Sequence, residues 1–243
     1  MLTAAWWGFV GGFALILGAL AGLYLPASKR LIGLVMGFGT GVLISAVAFE
    51  LTHEAYDRAG TDAVVLGLVA GALTFFAGDW WVDQRGAERR KSPNAKQNGQ
   101  GGMALVLGSL LDGIPESAAI GISMVGGGAV GLAVLVAVFL SNIPESFSAS
   151  VGMKASGRST RYILGLWGLV TLASTVAAGL GYAVLGGASD LAIATTLAFA
   201  AGAILTMLSD TMIPEAVEHA GAWVGLVTVS GFGCAFLLSV AGG

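Results

Sequence analysis

Charge is what this 243-residue chain has least of: Asp, Glu, Lys and Arg together make up 10% of it, against roughly 25% in a typical soluble domain. So little charge excludes a water-facing fold. It also leaves no basic surface with which to hold a nucleic acid. Cysteine is almost absent: Cys234 has no partner for an internal disulfide. No GxxxxGK[ST] loop occurs, which disfavours a nucleotide-driven pump. No nucleophile stands beside a base within the apolar runs, so neither an enzyme nor a bound cofactor is expected. Met1 to Trp7 carry no positive charge ahead of the first apolar stretch. A secretory signal with a basic leading region is therefore not expected, and the first span reads as permanent.

Long apolar runs are what the chain has. Hydrophobic residues are 56% of it and glycines number 39. A helix needs roughly 20 residues to cross a bilayer, and runs of that kind lie near 4–25, 31–53, 63–84, 103–124, 130–152, 161–184, 190–212 and 221–241. The expectation is an all-α integral membrane protein, a multi-pass bundle of eight transmembrane helices in the cell membrane. Every lysine and arginine except Arg58 then falls on one side: Lys29 and Arg30, the cluster from Arg85 to Lys96, and Lys154, Arg158 and Arg161. The positive-inside rule makes that side cytoplasmic and puts both termini outside. Residues 85–102, RGAERRKSPNAKQNGQGG, read as a flexible cytoplasmic loop, either a solvated connector or a contact for anionic lipid. Glycines at small-xxx-small spacing, Gly33, Gly37 and Gly41 and then Gly8 and Gly12, allow close helix packing. Asp79 and Asp83 beside Trp80 and Trp81 read as an interfacial anchor belt.

Acids and prolines recur inside these runs. The fourth contains Asp112-Gly113-Ile114-Pro115-Glu116-Ser117 and the fifth Ser141-Asn142-Ile143-Pro144-Glu145-Ser146; Ile213-Pro214-Glu215 follows Asp210 near the end of the seventh. A carboxylate at the bilayer centre costs at least about 2.5–3.5 kcal/mol unless it is neutralised, paired or bound to a cation. Each proline also lacks the N–H that would bond to residue i−4, freeing the carbonyls of Leu111, Leu140 and Asp210 as hard oxygen donors. Asp112 and Glu116 share one helix face, as do Ser141 and Glu145 on the next helix. For one proline alone a kink that merely shapes the bundle is the simpler reading, and for one acid alone a protonated carboxyl serves as well. Several acids with no lysine or arginine to pair with them point instead to a cation. Asp112, Glu116, Ser141, Asn142, Glu145 and Asp210 are the candidate ligands. Such an oxygen set suits magnesium, manganese, ferrous iron or zinc, and disfavours copper.

Two outlying groups carry rival readings. Glu50, His53 and Glu54 share a face near the outer end of the second span: an ion-capturing entry or an interfacial polar helix end. Glu215, Glu218 and His219 near the inner end of the seventh are an exit candidate.

These residues resemble the Zrt/Irt-like (ZIP) family of divalent metal transporters. DGIPES is similar to that family's HNxPEG, with Asp112 in the histidine position and Gly113 in the asparagine position. SNIPES is similar to its HExPHE or QDxPEG, with Ser141 and Asn142 in the leading ligand positions. Asp210 stands where many bacterial members carry the histidine of HExxPE. The resemblance covers the layout of essentially the whole chain. It implies eight spans, kinked central helices, a metal site on the fourth and fifth, and uptake of zinc, manganese, iron or a similar ion by alternating access. The missing histidines leave Asp112, Glu116 and Glu145, with Ser141 or Asn142, to hold one ion. They also shift the expected preference from zinc toward manganese, iron or magnesium. The expected partners are the lipid bilayer, the metal ion as substrate and, as one assembly, a second copy in a homodimer. The rival functions are a scaffold or sensor that has lost its ligands, and a carrier or channel for another cation.

Overall fold

The computed structural model describes residues 1–26, 28–82, 84, 101–125 and 130–242, without the side chains at 82, 101–108, 111–112, 133 and 241–242. The basic cluster from Arg85 to Lys96 and Asp83 lie outside the described residues. What is described is helical: α1 (Leu2–Tyr24), α2 (Lys29–Ala46), α3 (His53–Val82), α4 (Gly101–Ile122), α5 (Leu132–Ala155), α6 (Thr160–Leu185), α7 (Asp190–Met207), α8 (Ile213–Ala220) and α9 (Trp223–Gly242). A π turn, Val47–Thr52, continues α2 into α3, and a second, Leu208–Met212, continues α7 into α8.

Serine starts three of these helices. Ser28, Ser159 and Ser189 accept hydrogen bonds from Leu31 N, Tyr162 N and Ala192 N at 3.2, 3.2 and 3.3 Å, each satisfying one amide that the first turn leaves without a partner. Six helical stretches among the described residues are long and apolar enough to cross a membrane. Their outward faces are apolar: Leu226 and Val229 of α9 are 65% and 69% exposed. Water would penalise such a face, whereas acyl chains match it.

One of the six, Lys29–Trp81, is 53 residues long. Straight, it would extend about 80 Å at about 1.5 Å per residue, more than twice the roughly 30 Å of a hydrocarbon core. It is not straight. Gly60 has φ 75° and ψ −170°, and the chain turns there. Gly221, between α8 and α9, has φ 63° and ψ −147°. Side chains all but forbid this region of backbone space. Gly60→Ala and Gly221→Ala are each expected to cost about 1–3 kcal/mol, read as a fall in the thermal unfolding midpoint in detergent. A Cβ at either position would meet no neighbour within 4 Å, so any loss reports backbone strain rather than crowding.

The helices pack as two groups. In one, α1 lies on α5 and α6, and α4 lies on α6; in the other, α3 lies on α7, and α2 lies on α9 and α8. The groups meet where α2 crosses α5 and where α4 crosses α7. Glycines set the close approaches: Gly18 abuts the Ile143 carbonyl, Gly41 that of Thr228, Gly121 that of Ala178 and Gly202 that of Leu68. Elsewhere Trp167, fully buried, donates its indole N–H to Ser150 Oγ at 2.9 Å, and Lys154 Nζ donates to Leu23 O, tying the ends of α5 and α1.

An internal repeat underlies this plan. EAYDRAG (54–60) and EAVEHAG (215–221) share Glu, Ala, Ala and Gly in order and differ by like residues at Asp57/Glu218 and Arg58/His219. At the same offset the two π turns coincide, as do Gly41 and Gly202. The contacts follow suit. Gly41 of α2 rests on α9 while Gly202 of α7 rests on α3, and Gly231 meets Phe38 as Gly71 meets Phe199. α1 beside α5 is matched by α6 beside α4. The arrangement of α1 to α3 therefore recurs in α6 to α9, around the α4–α5 pair. Internal structural repeats are a recurring plan of secondary transporters, with the binding site at the repeat interface.

Candidate metal site

α4 and α5 each carry their proline inside a continuous helix. Glu116 follows Pro115 and is 1% exposed; Glu145 follows Pro144 and is 4% exposed. Ile114 of α4 is exposed, and two residues at about 100° each place Glu116 on the opposite side of the helix, toward the bundle. Ser141, one turn before Glu145, is fully buried and donates its hydroxyl to Val138 O at 3.0 Å. The hydroxyl oxygen keeps lone pairs for a cation. Asn142, also buried, donates Nδ2–H to Gly11 O of α1 at 3.1 Å, so its Oδ1 is the atom left to ligate. Ser146 Oγ donates to Asn142 O at 2.7 Å. Asp112 is placed in α4 by its backbone, but its side chain lies outside the described residues.

The walls around Pro144 come from residues that motif reading missed. Gly39 of α2 comes so close that a Cβ there would stand 3.3 Å from Ser141 Cα, and Gly18 of α1 leaves no room for one against Ile143 O and Ser146 Oγ. On the other side Gly113 faces Ser174 Oγ of α6, 3.5 Å from where its Cβ would be. Two backbones and a hydroxyl thus line a polar, close-walled stretch around the proline turns. The small-xxx-small spacing read from the sequence, at Gly33, Gly37 and Gly41 and at Gly8 and Gly12, does not include Gly18 or Gly39.

Asp210 stands apart from these acids. It is exposed and lines an outward groove of about 440 Å³ with Leu68, Val69, Ala72, Leu205 and Ser209. Asp79 on α3 is close enough to act on its charge. The π turn explains the displacement: an extra residue per turn rotates the succeeding residues out of the 3.6-residue register that a regular helix would keep.

The Glu50, His53 and Glu54 group is divided among separate partners. Glu50 accepts a 2.6 Å hydrogen bond from Ser239 Oγ of α9; His53 pairs with Asp57 at 2.9 Å; Glu54 pairs with Arg58 at 2.7 Å, and Arg58 reaches Asp190 at 3.2 Å. At the other end Glu215 is buried, Glu218 exposed, and His219 packs against Gly33 of α2, whose Cβ would lie 2.8 Å from His219 Cβ. Among the described residues, no three of His, Cys, Asp or Glu gather as a metal cluster.

The donors at α4 and α5 are hard oxygens, which match magnesium, manganese or ferrous iron better than soft ions. Such a set can hold a cation and change its protonation when empty. Fold and site together define a multi-pass, all-α membrane protein with acidic side chains buried in its core. No protein-family model matches the chain, and no curated protein is similar to it at a significant level.

Proposed function

We propose that the chain carries divalent metal cations, manganese, iron, zinc or a similar ion, across the cell membrane into the cytoplasm, through a carboxylate site on α4 and α5. The carrying observation is the burial of Glu116 and Glu145 directly after Pro115 and Pro144, in apolar runs, 103–124 and 130–152, that contain no lysine or arginine. In this reading Lys29–Trp81 supplies two crossings divided at Gly60 and α4 supplies another, giving eight, with both termini outside. With eight crossings the two halves of the repeat point opposite ways across the membrane, which supports alternating access. One helix group shifts against the other, so that the α4–α5 site faces each side in turn. The layout remains that of a divergent ZIP-type transporter, working without a cofactor, and no step in the cycle is enzymatic.

Metal uptake into proteoliposomes tests the proposal. Wild-type protein should take up manganese, and Glu116→Ala and Glu145→Ala should each remove it. Unaltered uptake in both variants sinks the site. A second reading, a scaffold or sensor that keeps the bundle without moving an ion, draws on the absence of a three-residue metal cluster among the described residues. Wild-type protein that passes no ion of any kind would establish that reading instead. Uptake limited to a monovalent cation would mark a carrier for another ion.

A further inference from the structure

The seam between the two helix groups opens on its outer side into two grooves of unequal size. The larger, about 700 Å³, is lined by α4 (Ile114, Ala118, Ile122), by α6 from Leu169 to Leu185, and by Thr196 of α7. The smaller, about 100 Å³, lies between Leu31, Ile32 and Val35 of α2 and Ile143, Pro144 and Phe147 of α5. The internal repeat relates them. Ile114 opens the first IPES motif and Ala118 follows it, as Ile143 and Phe147 do for the second, and Thr196 answers to Val35 at the offset that pairs Gly41 with Gly202. In the smaller groove the phenyl ring of Phe147, 7% exposed, takes the space. Alanine stands at its equivalent, Ala118, and that space stays open.

We propose that the larger groove binds one acyl chain of a membrane phospholipid, wedged along the α4–α6–α7 seam beside Pro115. Three features select this occupant. First, the lining offers nothing polar to a ligand: Thr196 is its only hydroxyl residue, and that hydroxyl donates to Ala192 O at 2.7 Å within its own helix. A headgroup, an ion or a peptide backbone would lose its hydrogen bonds there. Second, the groove is long. Leu169 to Leu185 covers about 24 Å at about 1.5 Å per residue, most of the roughly 30 Å hydrocarbon thickness, which fits an extended chain lying along the helix rather than a rounded ligand. Third, the equivalent position is filled by an apolar group of this chain's own, so the fold already accommodates such an insert at the seam. The size lies within the roughly 300–1,000 Å³ usual for small-ligand sites.

The test uses whole protein purified in detergent and returned to phosphatidylethanolamine–phosphatidylglycerol vesicles that contain a phospholipid with a photoreactive diazirine in its acyl chain. Adducts mapped by mass spectrometry should concentrate on the α4 and α6 residues of the groove. Ala118→Phe, which copies Phe147, should reduce labelling there by about tenfold and remove phospholipid retained through detergent exchange; Val229→Phe on the exposed face of α9 should leave both unchanged. Labelling spread evenly over all outward faces in the wild-type protein overturns the proposal without needing any variant to fold. Retained lipid that persists in monodisperse Ala118→Phe protein also overturns it. A dimer that dissociates in Ala118→Phe with no loss of lipid assigns the groove to a second copy of the chain and overturns it too. None of these readouts depends on ion transport, so the groove and the metal site stand or fall separately.

Discussion

Glu116→Gln and Glu145→Gln are each expected to lower metal uptake at least about 100-fold, about 2.7 kcal/mol at 1.36 kcal/mol per tenfold, while the protein itself becomes no less stable. The two effects separate because the carboxylates serve different ends in the folded and the working protein. Each side chain is nearly inaccessible, at 1% and 4% exposure, and a buried charge at membrane depth costs about 2.5–3.5 kcal/mol. Glutamine keeps the length and shape, removes the charge and still offers one oxygen. Without metal, the unfolding midpoint in detergent should stay level or rise. With manganese the wild-type protein should gain by mass action, about 2.7 kcal/mol at a hundred times the dissociation constant, and the variants should not. Zinc bound in strong preference to manganese would contradict the all-oxygen donor set. A loss of uptake together with a loss of fold would show instead that the acids hold the bundle together.

That the chain is built of long apolar helices was legible because the membrane imposes a length: a run of about 20 apolar residues matches the bilayer core and little else. The positions of Glu116 and Glu145 were legible for a related reason. In lipid a carboxylate is too costly to leave on an outward face, so its side of the helix follows from the apolar residues around it. Features that depend on exact register were not legible. Asp210 looks like a ligand if the seventh span is a regular helix, but it lies within the π turn Leu208–Met212 and emerges on the α3 side. Glu50 sits in the matching turn and is met by Ser239 of α9, 189 residues along the chain. His53 and Glu54 follow that turn and find Asp57 and Arg58 one helical turn further on, a local pairing that competes with any shared ion. The repeat is present in EAYDRAG and EAVEHAG, but seven residues carry little signal until Gly60 and Gly221 are seen to turn the chain in the same way.

That repeat makes a paired prediction about packing. Gly41 and Gly202 occupy equivalent places, one against the carbonyl of Thr228 and the other against that of Leu68, and at neither does the space for a Cβ exist. The neighbour in each case is backbone, which cannot rotate aside as a side chain can. Gly41→Val and Gly202→Val should therefore each force a helix pair apart, α2 from α9 and α7 from α3, and cost at least the roughly 1–3 kcal/mol typical of an overpacked core. Glycines of the same chain that face open space, Gly225 and Gly233 of α9, provide the control: valine there should change stability by less than about 0.5 kcal/mol. The measurement is thermal unfolding in detergent for all four variants. Losses of similar size at Gly41 and Gly202, against little change at Gly225 and Gly233, would mean that the two halves are held by the same joint used twice. A large loss at one with none at the other would show that the second joint has room to relax, and that the repeat survives in the backbone without an equal share of the stability.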